Sequence, residues 1–181
     1  MSEKKLLVEF PGRNYSCDKP LLYYGGMIFS QRGYDVIRLD YNARLTGNRD
    51  DITGLIEESR RYVEEQLDGV DFSEYEDIVF LSKSMGTALA GYFESFYKIR
   101  VRHIYLTPVA DALKYMSRGK CLVVSGKDDR YLDATKLKIY CVEREIPLQQ
   151  FEGVGHSLEC ADDLNKTFAI LMIIIRMYRE F

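Results

Sequence analysis

The sequence predicts an α/β fold: a mostly parallel sheet of six strands with helices on both faces. Two observations carry this. Short apolar runs alternate along the chain with longer stretches whose apolar residues recur at helical spacing, the pattern of strand–helix–strand units. No linker, repeat or low-complexity stretch interrupts the alternation, so residues 1–181 read as one domain. A chain of 181 residues is long enough to bury a sizeable core.

Each element has its own signal. Lys4 to Phe10 is the first strand, closed by the turn residues Pro11-Gly12-Arg13-Asn14. Asp18 to Arg32 carries Leu21, Leu22, Met27 and Ile28 and reads as a helix, weakened by Gly25-Gly26 and capped by Gly33. Tyr34 to Tyr41 is the second strand, and Asn42 to Asp50 a polar loop. Asp50 and Asp51 suit the start of a helix whose apolar positions are Ile52, Leu55, Ile56, Val63 and Leu67. The third strand opens at Asp77 and leads into a helix kept slim by Ala88, Ala90 and Gly91. Val101 to Leu106 is the fourth strand, followed by a short helical stretch over 109–116. Cys121 to Ser125 is the fifth strand, 133–143 a helix and Pro147 to Phe151 the sixth strand. A final helix over 158–178 places Ala161, Leu164, Phe168, Leu171 and Ile175 on one face.

Composition narrows the function. The net charge is −3, from 25 basic and 28 acidic residues, which argues against a nucleic-acid partner. The longest apolar run, Phe168 to Ile175, falls far short of the ~20 residues that cross a bilayer, so it reads as a buried helix and no membrane partner is expected. None of Cys17, Cys121, Cys141 and Cys160 forms a C-x-x-C pair, and no signal peptide precedes the first strand. Free thiols in a reducing cytoplasm are therefore expected. With only two histidines, a histidine-rich metal site is not expected.

In sheets of this kind ligands sit at the carboxyl ends of the strands. Past the third strand comes Ser82-Lys83-Ser84-Met85-Gly86, a small-x-Ser-x-small turn between a buried strand and a slim helix. Ser82 and Gly86 let strand and helix nearly touch, which would lift the Ser84 hydroxyl above the sheet as in a nucleophile elbow. The competing reading is an ordinary serine N-cap. Past the fifth strand come Asp128 and Asp129, and past the sixth Gly155-His156-Ser157. A serine needs a base to become nucleophilic, histidine titrates in the right range, and a carboxylate orients the imidazole. His103 lies early in its strand, away from that edge, and reads as structural, which leaves His156 as the base.

These pieces resemble the α/β-hydrolase superfamily over essentially the whole chain, and within it a small, lidless serine hydrolase. The resemblance rests on Phe10-Pro11-Gly12-Arg13, on 33–41, on Ser82-Lys83-Ser84-Met85-Gly86, on Gly126-Lys127-Asp128-Asp129 and on 155–159. The first glycine of the superfamily's G-x-S-x-G is here Ser82. The resemblance implies catalytic Ser84, Asp129 and His156, with Asp129 preferred over Asp128 by its spacing from Gly126. It also implies an oxyanion hole made by the backbone N–H groups of Met85 and of Arg13 or Gly12. Between Thr107 and Cys121, where many relatives insert a helical lid, only a short segment stands, so an open site and a small acyl substrate follow. Arg13, Arg44 and Lys83 would favour an anionic substrate unless they are solvated surface charges. The activity implied is cleavage of a carboxylic ester or thioester through an acyl-enzyme, without metal or organic cofactor. A non-catalytic binding or sensing protein, and an acyltransferase or peptidase on the same residues, are the alternatives.

Overall fold

The structure is a computed structural model that describes residues 4–48 and 50–181. Arg49, in the predicted polar loop, and residues 1–3 of the predicted domain lie outside the described residues. Six strands form one sheet: β1 (Lys5–Phe10), β2 (Tyr34–Arg38), β3 (Asp77–Lys83), β4 (Arg102–Leu106), β5 (Cys121–Gly126) and β6 (Leu148–Phe151). Their order is β2-β1-β3-β4-β5-β6, and every pair is parallel. The chain steps outward from β1 to β2, then returns to lay β3 on the other side of β1. The carboxyl ends of β1 and β3 therefore flank the switch point, the place where such sheets bind ligands. The register Phe10↔Ser82 sets the two ends level.

The helices are α1 (Pro20–Gln31), α2 (Ile52–Leu67), α3 (Met85–Tyr97), α4 (Ala134–Glu143) and α5 (Leu164–Glu180). Successive side chains of a strand point to opposite faces, so each face collects its own core. Leu6, Val8, Phe10, Ile78 and Phe80 pack with residues of α2, α3 and α4. Leu7, Val79, Leu81, Ile104 and Val124 pack with α1 and α5. Asp51, Asp133 and Asp163 cap α2, α4 and α5, each accepting a backbone N–H from the first turn, worth about 1 kcal/mol apiece. Gly25 and Gly26 do not break α1. They let it lie close on the sheet, because a Cβ would come within 2.3 Å of Leu81 Cδ2 at Gly25 and within 2.6 Å of Glu9 Oε1 at Gly26.

Two expectations change. The second strand stops at Arg38, because Asp40 turns out to exchange backbone bonds with the Gln66 side chain. The last helix starts at Leu164, six residues later than the apolar spacing suggests: its cap is Asp163, and 158–163 form a loop. Its buried stripe is Ile170, Ile174, Ile175 and Tyr178, while Leu164 and Phe168 are exposed. Packing against α1 sets this face, with Tyr178 Oη donating to the Leu21 carbonyl at 3.1 Å. The segment between β4 and β5 forms only a short 3-10 turn over Ala110–Tyr115, seated on α3, where Gly91 leaves room for Tyr115. Among the described residues no helix is long and apolar enough to cross a membrane.

Candidate active site

Ser84 sits between β3 and α3 with φ 55° and ψ −126°. A non-glycine residue there is strained by about 1–3 kcal/mol, so its surroundings must hold it. They do so from both sides. Its N–H donates to the Leu106 carbonyl at 3.0 Å, and its own carbonyl accepts from Thr87 Oγ1 at 2.6 Å. Ser82 is fully buried and donates its hydroxyl to the Ile104 carbonyl at 3.1 Å. Gly86 is required by crowding: a Cβ would lie 2.3 Å from the Phe10 carbonyl oxygen. The ordinary N-cap reading does not hold, because the Ser84 side chain makes no capping bond to α3. Its Oγ lies 2.7 Å from His156 Nε2 instead.

His156 is carried by the loop after β6, which docks on the loop after β5. Lys127 N–H donates to the Phe151 carbonyl at 2.8 Å, and Asp128 N–H to the Val154 carbonyl at 3.1 Å. That backbone bond leaves the Asp128 side chain in solvent and turns the Asp129 carboxylate inward. Asp129 Oδ2 lies 2.8 Å from His156 Nδ1, and Oδ1 lies 3.0 Å from the same nitrogen. Oδ1 also accepts the Tyr131 N–H at 2.9 Å. Asp128 does not cap the following helix either, since that role falls to Asp133. The Tyr131 ring leans on the imidazole, with centroids 4.5 Å apart.

Electrostatics match the geometry. Burial pushes His156 below its ordinary value. The hydrogen bond that His156 donates to Asp129 opposes that shift, and the nearby Lys83 charge reinforces it. Burial would raise the Asp129 carboxyl, but its bond to His156 and the imidazole's charge hold it below the usual carboxylate value.

The loop after β1 passes directly against the serine: a Cβ on Gly12 would come within 3.0 Å of Ser84 Cβ. Gly12 N–H is already given to the Tyr15 carbonyl at 3.1 Å, and Gly12 O accepts from Asn42 Nδ2 at 2.9 Å. Of the two donors considered from sequence, Arg13 is thus the one whose N–H is not spent on Tyr15. Met85 opens α3, where backbone N–H groups point outward without helical acceptors. The three charges considered for an anionic substrate part company. Arg13 lines the site. Arg44 pairs with Glu65 at 2.7 Å and lies over the Tyr62 ring. Lys83 is buried, yet it also borders the site, with its ammonium bonded to Thr107 and to the main chain of His156.

No protein-family model matches the chain, and no curated protein does. Solved structures do. Est1E from Butyrivibrio proteoclasticus is similar at 14% identity with a TM-score of 0.66, covering 100% of this chain and 88% of that one. A lidless member of the α/β serine hydrolases from Xanthomonas campestris matches at 13% identity and TM-score 0.62, over 97% of this chain and 79% of that one. An α/β serine hydrolase homologue from Coxiella burnetii matches at 13% and 0.59, over 96% and 84%. The chain has the α/β-hydrolase fold.

On this α/β-hydrolase fold the site is an open hollow of about 420 Å³, lined by Arg13, Tyr15, Ser84, Arg130, Tyr131 and His156 among others. Sequence reasoning missed several supports. Tyr41, fully buried, donates its hydroxyl to the Pro11 carbonyl, and with Asn42 it props the loop after β1. Their signal was available: both follow β2 at the same edge of the sheet. Tyr131 follows Asp129 by two residues, within reach of whatever that carboxylate holds.

Proposed function

We propose that this protein is a serine hydrolase that cleaves a carboxylic ester or thioester of a small acyl group through an acyl-enzyme on Ser84. The observation that carries the reading is the 2.7 Å approach of Ser84 Oγ to His156 Nε2. His156 Nε2 takes the hydroxyl proton as Oγ attacks the acyl carbon. Asp129 holds the proton on Nδ1, which leaves Nε2 free to accept, and stabilises the imidazolium that forms. The N–H groups of Met85 and Arg13 receive the oxygen on which negative charge develops. His156 then gives its proton to the departing alkoxide or thiolate. Water, deprotonated by the same imidazole, releases the acid and restores Ser84.

The breadth of the hollow and the lack of a helical cap between β4 and β5 favour small or surface-presented acyl groups. Water also reaches such a site freely, which favours hydrolysis over transfer to another acceptor. Support comes from the fold's neighbours: two are described as serine hydrolases or their homologues, and Est1E has been solved with ferulic acid bound. Four free thiols, three of them buried, support a reducing cytoplasmic setting.

The test is a panel of p-nitrophenyl esters and acyl thioesters of increasing chain length. Turnover falling as the acyl group lengthens, and lost in Ser84→Ala, is the expected result. A folded wild type that turns over none of them would leave the ligand-binding alternative in possession.

A further inference from the structure

Lys83 is the last residue of β3 and the immediate neighbour of Ser84. Only 2% of it is exposed. A lysine is almost never buried to this degree without dedicated partners. Its Nζ donates to two neutral oxygens: Thr107 Oγ1, just past β4, and the backbone carbonyl of His156 at 2.6 Å. The Tyr15 ring lies 5.2 Å from it. An apolar side chain of the same length would fill the space without the cost of burying an ammonium, but would leave both oxygens unpaired.

We propose that Lys83 is a positioning residue for the acyl transfer proposed above: its ammonium ties the loop of His156 to the peptide that carries Ser84. The inference rests on that reading of the site.

The tether follows from connectivity. One hydrogen bond joins the ammonium to the main chain of His156, and one peptide joins Lys83 to Ser84. The separation of the two reacting residues is thus set by a single side chain rather than by two independent loops. Thr107 fixes where the ammonium stands and is itself held, its N–H on the Val124 carbonyl at 2.7 Å.

The charge acts through the groups around the ring. His156 feels Asp129, Lys83 and Arg130, and packs on Tyr131. Lys83 feels Asp129 and Glu159 and lies near Tyr15. Asp129 alone would draw a second proton onto the imidazole, whereas a cation nearby disfavours it. Burial pulls the ammonium down to about 7, against Asp129 and Glu159. Lys83 is therefore cationic over the acidic range in which His156 would otherwise charge.

The chain has only two histidines, so ring-labelled protein gives two titrating NMR signals, with the distant His103 as internal control. In Lys83→Met the His156 midpoint is expected to rise by about one unit while that of His103 stays put. The acidic limb of kcat/KM should move with it, and kcat on an activated ester should fall roughly ten- to a hundredfold with KM little changed. Lys83→Gln keeps an N–H donor without the charge. It should recover part of the lost kcat but retain the raised midpoint. If Lys83→Met does not fold, Lys83→Gln carries the comparison. The same His156 midpoint and acid limb in wild type and variant, with wild-type turnover intact, would overturn the positioning role and leave the hydrolase reading standing. A wild type that neither turns over esters nor labels with a fluorophosphonate would remove the hydrolase reading itself, and this inference with it.

Discussion

Replacing Asp129 by asparagine tests how the imidazole is held. The carboxylate serves two donors, the Tyr131 N–H at 2.9 Å and His156 Nδ1 at 2.8 Å. Asparagine offers one acceptor oxygen and one donor nitrogen in the same space. If its oxygen stays on Tyr131, its NH2 faces Nδ1 and drives the ring proton to Nε2. His156 then presents a donor to Ser84 Oγ, 2.7 Å away, where a base is needed. Loss of the correct tautomer lowers kcat by about four orders of magnitude in serine proteases. The same loss here corresponds to about 5.5 kcal/mol of transition-state stabilisation. The assay is steady-state hydrolysis of an activated ester by Asp129→Asn and Asp128→Asn, with melting curves for both. Asp128 is exposed and is to leave kcat within about threefold of wild type. If Asp129→Asn keeps more than a tenth of wild-type kcat, or if Asp128→Asn is the crippled variant, the reasoning fails.

Ser84→Gly relieves the positive φ, so it should melt above Ser84→Ala by the equivalent of about 1 kcal/mol, both being inactive; equal melting points would show the serine unstrained. His156 lies below the ordinary histidine value because it is buried, so the acidic midpoint of kcat/KM should fall below 6.5, and a midpoint above 6.5 would contradict the burial argument. Burial raises the fully enclosed Glu9 carboxyl from 4.5 to about 7. A folded value above the unfolded one means that stability declines as pH climbs from 4.5 to about 7, by up to roughly 3 kcal/mol. Urea unfolding across that range should show the decline in wild type and lose most of it in Glu9→Gln; parallel curves would refute it.

The parts legible in the sequence were those with local causes. Buried parallel strands are short apolar runs, so β1, β3, β4 and β5 could be placed within a residue or two. The crowded turn at Ser84 demanded small neighbours and showed them. The start of α5 was not legible, because Leu158 and Ala161 continue the apolar spacing into a loop that ends only at the Asp163 cap. Its buried face was set by α1, far away in sequence. Lys83 read as a surface charge because its partners lie 24 and 73 residues further along the chain. The spacing after Gly126 pointed to Asp129 rather than Asp128, but the backbone bond from Asp128 N–H to Val154 that accompanies this arrangement was not legible.

The central claim is that Ser84 is the nucleophile, made reactive by His156. It is tested most directly by treating the folded protein with a fluorophosphonate and locating the adduct by mass spectrometry. The account predicts a single stoichiometric adduct on the peptide containing Ser84, absent in Ser84→Ala and strongly slowed in His156→Ala. An adduct on another serine, or equal labelling of wild type and His156→Ala, would contradict it.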